Sequence, residues 1–174
     1  MKNYLTSLVF IVAVVIISGC GGVADAINDS VENGLYGNSD LSRDIKDNKT
    51  MVQLVNVSSD YKTLTKVAYI TLNIQHDRVG DLKIELTSPS GTNVVLSNYR
   101  GGNSSVNGIT FKDDSSNSIV NFNGTNTDYK PEQPLATFVG ENPNGIWVIK
   151  VTDSVNNSKI GKLTGYILFI NGQK

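Results

Sequence analysis

The chain has little from which common catalytic and metal sites are made. It carries one cysteine, one histidine and one tryptophan in 174 residues. A lone cysteine, Cys20, excludes a disulfide within the chain. A lone histidine, His76, has no second histidine or usable cysteine to join it in a zinc site. Positive charge is not in excess either: Lys+Arg 15 stand against Asp+Glu 16, a formal charge of -1, and no long Lys/Arg run occurs. That balance excludes the basic footprint of a nucleic-acid partner. Stretches rich in helix-forming Ala, Glu and Leu are few, and no segment is long enough to serve as the crossover helix of a βαβ unit. Turn chemistry is what abounds, with Gly 16 and many Asn and Ser, which leans toward an all-β protein.

The start of the chain reads as a targeting segment. Lys2 supplies a positive n-region and Leu5 to Ile17 a short apolar core, too short for the ~20 apolar residues of a comfortable membrane span. It ends in Ile17-Ser18-Gly19-Cys20, which resembles the bacterial lipobox. Residues 1–19 are therefore expected to be a lipoprotein signal peptide, and Cys20 the lipidated first residue of the mature protein. Acyl chains contribute about 0.8 kcal/mol per buried methylene, so several together anchor a protein stably. Gly21, rather than Asp, follows the cysteine, which by resemblance to Gram-negative sorting rules favours the outer membrane. The expected location is a bacterial cell envelope, facing the periplasm or the exterior. Residues 20–43 are small and polar and read as a flexible tether, spanning roughly 25 Å root-mean-square.

From Asp44 the texture changes. Val67 to Gln75 alternates, with Ala68, Ile70, Leu72 and Ile74 on one face, as a half-buried strand requires. Leu82–Leu86 and Val94–Leu96 flank a Ser-Pro-Ser-Gly-Thr turn at Ser88–Thr92 and read as a hairpin. Short apolar pieces follow at Ile109–Phe111 and Ile119–Phe122, then a loop-like stretch over 123–145. Trp147, Ile149 and Val151 alternate again, and Leu163 to Ile170 supplies a last strand. This pattern predicts an all-β, jelly-roll-like β-sandwich of mainly antiparallel strands over residues 44–174.

An ordered series of motifs runs through that span. It starts near Ile45-Lys46-Asp47-Asn48 and passes through His76, Gly80-Asp81-Leu82 and Leu86-Thr87-Ser88-Pro89-Ser90-Gly91-Thr92. It continues with Thr110-Phe111-Lys112-Asp113-Asp114, Tyr129-Lys130-Pro131-Glu132-Gln133-Pro134-Leu135 and Phe138-Val139-Gly140. It closes with Asn144-Gly145-Ile146-Trp147 and Gly161-Lys162-Leu163. The series, over residues 45–171, resembles the P domain, or Homo B domain, of kexin- and furin-type proprotein convertases and of bacterial subtilisin-like proteases. In that family the domain follows the catalytic domain, packs on it, and supports its folding or stability. Four positions depart from the family pattern: Asp77 after His76, Tyr166 where Trp is common, and Asn157 with Lys159 in a loop often more acidic.

No catalytic residue is expected. A subtilisin-like enzyme needs an Asp, a His and a nucleophilic Ser, each in its own setting. His76 belongs to the motif series, no Gly-Thr-Ser-x-Ala-like segment occurs, and 174 residues leave no room for a catalytic domain of that kind. The resemblance thus implies an accessory part in serine-endopeptidase proteolysis. Two carboxylate groups, Asp77 with Asp81 and Asp113 with Asp114, are candidate ligands for a structural calcium ion, since Asp-rich loops build such oxygen cages. Their other reading is as solvated turn carboxylates. Trp147, Tyr129 and Phe138 are either an aromatic platform for carbohydrate or core residues, Trp147 favouring the core because it alternates with Ile149 and Val151. The expected partners are the membrane, through the lipid, and a protein, with a carbohydrate-binding adhesin as the alternative.

Overall fold

The computed structural model describes residues 34–125 and 127–174. The expected signal peptide, Cys20 and the first part of the tether lie outside those residues. In chain order the strands are β1 (Leu35–Asn38), β2 (Arg43–Ile45), β3 (Lys49–Val57), β4 (Thr63–His76) and β5 (Leu82–Thr87). They continue with β6 (Asn93–Asn98), β7 (Val106–Phe111), β8 (Asp128–Tyr129), β9 (Gly145–Asp153) and β10 (Gly161–Gln173). Single 3-10 turns lie at Val79–Asp81, Ile119–Asn121 and Leu135–Phe138. Among the described residues no helix is long and apolar enough to cross a membrane.

The strands form two sheets. A six-stranded sheet has the order β1-β10-β4-β7-β8, with β2 also pairing β10, and a four-stranded sheet has the order β3-β9-β5-β6. All pairings are antiparallel except β7 with β8. The expected all-β sandwich is therefore the fold. Period-2 alternation explains how the core fills: Leu82, Ile84 and Leu86 of β5 and Trp147, Ile149 and Val151 of β9 are all buried, each on every second residue. They face Ile70, Leu72, Ile74, Leu163, Leu168 and Ile170 of the other sheet, which are fully buried too. Each such aliphatic side chain contributes roughly 1.5–3 kcal/mol relative to exposure.

The domain begins earlier than Asp44. Leu35–Asn38, expected in the tether, pairs with Tyr166–Phe169 of β10. Tyr36 is buried there, and its hydroxyl donates to the Ser58 carbonyl at 3.0 Å. Leu41 N–H also bonds the Thr164 carbonyl, so the tether expectation fails for this part of 20–43. The long edge of β10 offers unpaired backbone groups, and a short segment with one aromatic anchor is enough to cover it.

Candidate functional site

Two motif segments meet at one end of the sandwich. The Ser88–Thr92 turn closes with Ser88 N–H to the Thr92 carbonyl, and Thr92 Oγ1 donates to Glu141 Oε1. Asn144 anchors the facing loop: its Oδ1 accepts from Ser59 N at 2.6 Å and its Nδ2 donates to the Tyr61 carbonyl at 2.7 Å. Gly145 follows at φ +127, where a Cβ would sit 3.0 Å from Pro89 Cβ. Only glycine takes that backbone and that proximity without strain. Trp147 Nε1 donates to the Pro143 carbonyl at 2.9 Å, and the ring packs edge-on to Phe138 at 4.9 Å. Trp147, Tyr129 and Phe138 are all 0% exposed, so the core reading holds and they form no platform for a sugar.

A polar network closes the opposite end. His76 ends β4 and Asp153 ends β9, so the pair spans the two sheets; both side chains are fully buried, with Nε2 3.3 Å from Asp153 Oδ2. Neither atom makes an aligned hydrogen bond. His76 Nδ1 accepts the Arg78 N–H at 3.1 Å. The same nitrogen lies 3.0 Å from the Arg78 carbonyl, a geometry open only to the other tautomer. Both the N–H and the carbonyl of Arg78 face Nδ1 and fix the ring against that backbone. His76 thus orders the turn that carries Asp77.

The four candidate calcium ligands are distributed rather than gathered. Asp113 accepts from Leu135 N and Ala136 N, both at 2.8 Å, and so tethers the 3-10 turn at Leu135–Phe138. Asp114 pairs with Lys66 at 3.4 Å on the surface. Asp81 is buried; its Oδ1 lies 3.1 Å from Arg78 Nε and its Oδ2 accepts from Asn157 Nδ2 at 2.8 Å. Asp77 stands exposed on its turn. Calcium takes six to eight oxygens, and among the described residues no group of three or more His, Cys, Asp or Glu could hold a metal. The four carboxylates are therefore not gathered into one cluster, each being engaged or exposed as described. Asp47, which was not among the candidates, does related work: its Oδ2 accepts from Asn157 N and Ser158 N at 2.9 and 2.6 Å. The 154–160 loop is thus pinned by Asp47 and Asp81, and beside it Asp47 Oδ1 and Asp153 Oδ2 are buried without a hydrogen-bond partner.

The outer face of the four-stranded sheet carries apolar residues without cover. Val52 and Leu54 of β3 are 38% and 55% exposed, and Ile146 of β9 is 45% exposed. In the β3–β9 register Leu54 lies opposite Val148, and Ile146 opposite Asn56, so Leu54, Val148 and Ile146 adjoin across the two strands. β3 is also the edge of its sheet. Sequence reading missed this strand because Met51, Val52, Leu54, Val55 and Val57 are apolar on both faces and the alternation is hidden. That two-sided apolarity was itself the available signal.

The motif geometry agrees with comparison to known proteins. A family model described as the proprotein convertase P-domain matches residues 65–170, more than half of the chain. The chain belongs to this family. P-domains are protease-associated, accessory to the catalytic domain, and the match to this chain includes no catalytic domain. No curated protein matches the chain. Among solved structures, this P-domain is similar to the serine protease of Aeromonas sobria, at 18% identity and TM-score 0.50, over 85% of this chain and 29% of that one. It is likewise similar to the complex of that protease with the chaperone ORF2, at 20% identity and TM-score 0.51, over 80% of this chain and 26% of that one. These likenesses concern the fold, and the chain spans less than a third of the length of either protease chain.

Proposed function

We propose that this P-domain is a non-catalytic, lipid-anchored module that binds and stabilises a protein partner at a bacterial cell envelope, the partner being a subtilisin-like catalytic domain. The observation that carries the reading is the uncovered apolar group Val52, Leu54 and Ile146 on the four-stranded sheet of a fold whose family is protease-associated. Contiguous apolar surface of this kind costs solubility and marks contact sites. The lipobox-like end at Cys20 supports the anchor, and the Aeromonas protease–chaperone complex gives a precedent for protein partnership around a protease of this fold.

Affinity capture of the full chain from membranes is expected to recover a serine protease. Leu54→Glu or Ile146→Glu should abolish the capture while leaving the urea midpoint within the range of surface substitutions, about ±0.5 kcal/mol. Capture that survives both substitutions would move the interface elsewhere, and failure to enrich a protease at all would end the proposal. Cys20→Ser tests the anchor separately: the chain should leave the membrane fraction.

A further inference from the structure

A second surface feature lies on the other sheet, at the end closed by His76. In the six-stranded sheet Asp44 of β2 pairs with Lys162 of β10, Lys162 with Gln75 of β4, and Gln75 with Asn107 of β7. These four form one row across four strands. The row floors an open cavity of about 510 Å³, walled by Asp77 and Ser105 from the adjoining turns and by Ile160. Ile160 is 63% exposed, more than any other large apolar side chain among the described residues. Gly161 lets β10 and β4 close beneath it: a Cβ there would fall 2.3 Å from the Gln75 carbonyl oxygen.

On the floor Lys162 Nζ lies 4.0 Å from Asp44 Oδ1, and Lys46 pairs with the same carboxylate at 3.4 Å, both exposed pairs; the rest of the polar lining is uncommitted. Among the described residues, none makes a hydrogen bond or ion pair with the side chains of Gln75, Asp77, Ser105 or Asn107. Asp77 is held in place through the backbone, by the Arg78 N–H that His76 Nδ1 accepts. The mixture of groups selects the ligand. A cation attracted to Asp77 meets Lys162 on the floor, and an anion attracted to Lys162 meets Asp77 and Asp44. A neutral polyol has no such conflict, since each hydroxyl both donates and accepts. Asp77 asks for donors, Lys162 for acceptors, and the two amides and the Ser105 hydroxyl for either. The volume lies within the range of small-molecule sites, and Ile160 offers an aliphatic surface to the C–H face of a ring.

We infer that this cavity binds a neutral saccharide of one or two rings. The site differs from the aromatic platform that sequence suggested, because Trp147 is in the core and the cavity is on the opposite sheet. It is also independent of the apolar face assigned to a protein partner.

The test uses the full chain, extracted in a detergent without a sugar headgroup. Side-chain amide signals of Gln75 and Asn107 are followed by NMR during titration with maltose, cellobiose, chitobiose and lactose, and the same preparation is screened on a printed array of microbial glycans. One saccharide class is expected to shift those signals and saturate at millimolar concentration or below. Gln75→Ala with Asn107→Ala should weaken it at least about tenfold, as loss of one or two hydrogen bonds does, with an unchanged urea midpoint because both residues are exposed. No glycan binding in either format overturns the inference, as does binding indifferent to the double substitution. A charged peptide that occupies the cavity when no saccharide does assigns the site to a polypeptide and overturns it too. Leu54→Glu should leave saccharide binding intact, which separates failure here from failure of the protein-partner reading.

Discussion

At the scale of single residues, adjacent identical side chains do different work. Asp113 and Asp114 sit side by side at the end of β7, and sequence offers no way to rank them. Asp113 holds two backbone N–H groups of a 3-10 turn from a segment more than twenty residues away. Asp114 makes an exposed contact to Lys66. Charge-assisted bonds to otherwise unpaired N–H groups are the stronger kind, whereas surface ion pairs contribute roughly 0–1 kcal/mol. Asp113→Ala is therefore expected to cost about 1–2 kcal/mol, the usual range for losing a helix cap, and Asp114→Ala a few tenths. Urea denaturation of the two variants decides it, and the reverse order would show that the 3-10 turn does not depend on Asp113. The same contrast explains part of what sequence could not say. The Phe-x-Asp-Asp signature was visible, but which carboxylate faces inward depends on a turn that packs from far along the chain.

At the scale of elements, the hairpin of β5 and β6 was legible because Leu82, Ile84 and Leu86 alternate and a Ser-Pro-Ser-Gly turn bounds them. β1 was not, because a four-residue strand with one buried side chain has no period to detect and exists only through β10. The outer edge of β6 is a third case, covered by the Tyr129–Leu135 motif segment and not by a strand. Glu132 N–H and Gln133 N–H donate to the Leu96 and Val95 carbonyls, and Gln133 Oε1 accepts from Val95 N–H at 2.7 Å. Arg100 locks this strap with Nε to Glu132 Oε1 at 2.6 Å and Nη2 to Oε2 at 3.2 Å. The Arg100 hydrogen bond holds the Glu132 carboxyl below its ordinary value, against the opposing effect of burial. Because the folded value is lowered, the strap's contribution is complete above the unfolded Glu value of about 4.3 and is lost as pH falls through the folded one. Arg100→Met should lower the urea midpoint slightly at neutral pH, since the pair is partly exposed to solvent. It should also flatten the acid limb of the urea-midpoint profile below about pH 4.3. A variant with the same acid limb as the parent would mean that Glu132 is not what couples this edge to pH.

At the scale of the molecule, the question is what holds the two sheets together at the ends where the core runs out. One end is closed by Pro89 against Gly145 and by Asn144 bridging to Ser59 and Tyr61. The other is closed by His76 against Asp153, with Asp47 and Asp81 gripping the 154–160 loop. A loop of this kind is where a calcium ion would contribute most, by neutralising clustered carboxylates. Here Asn157 and Lys159 stand in the loop, Arg78 faces Asp81, and backbone N–H groups face Asp47. Asp81 Oδ2 and Asp47 Oδ2 thus have donors from the fold itself, while Asp47 Oδ1 and Asp153 Oδ2 are buried without a hydrogen-bond partner. A bound ion at about 100 times its dissociation constant would add about 2.7 kcal/mol, or roughly 5–10 °C in Tm for a domain of this size. The melting temperature of the full chain is therefore expected to be the same, within about 1 °C on that scale, in millimolar calcium and in chelator. A rise of several degrees would mean that backbone oxygens and the exposed Asp77 assemble a cage after all. Asn157→Ala discriminates further: it removes the donor to Asp81 Oδ2, leaves that oxygen buried and unpaired, and should destabilise the domain by about 1–3 kcal/mol whether or not calcium is present. If calcium rescued that variant, the amide of Asn157 would be standing in the place of an ion.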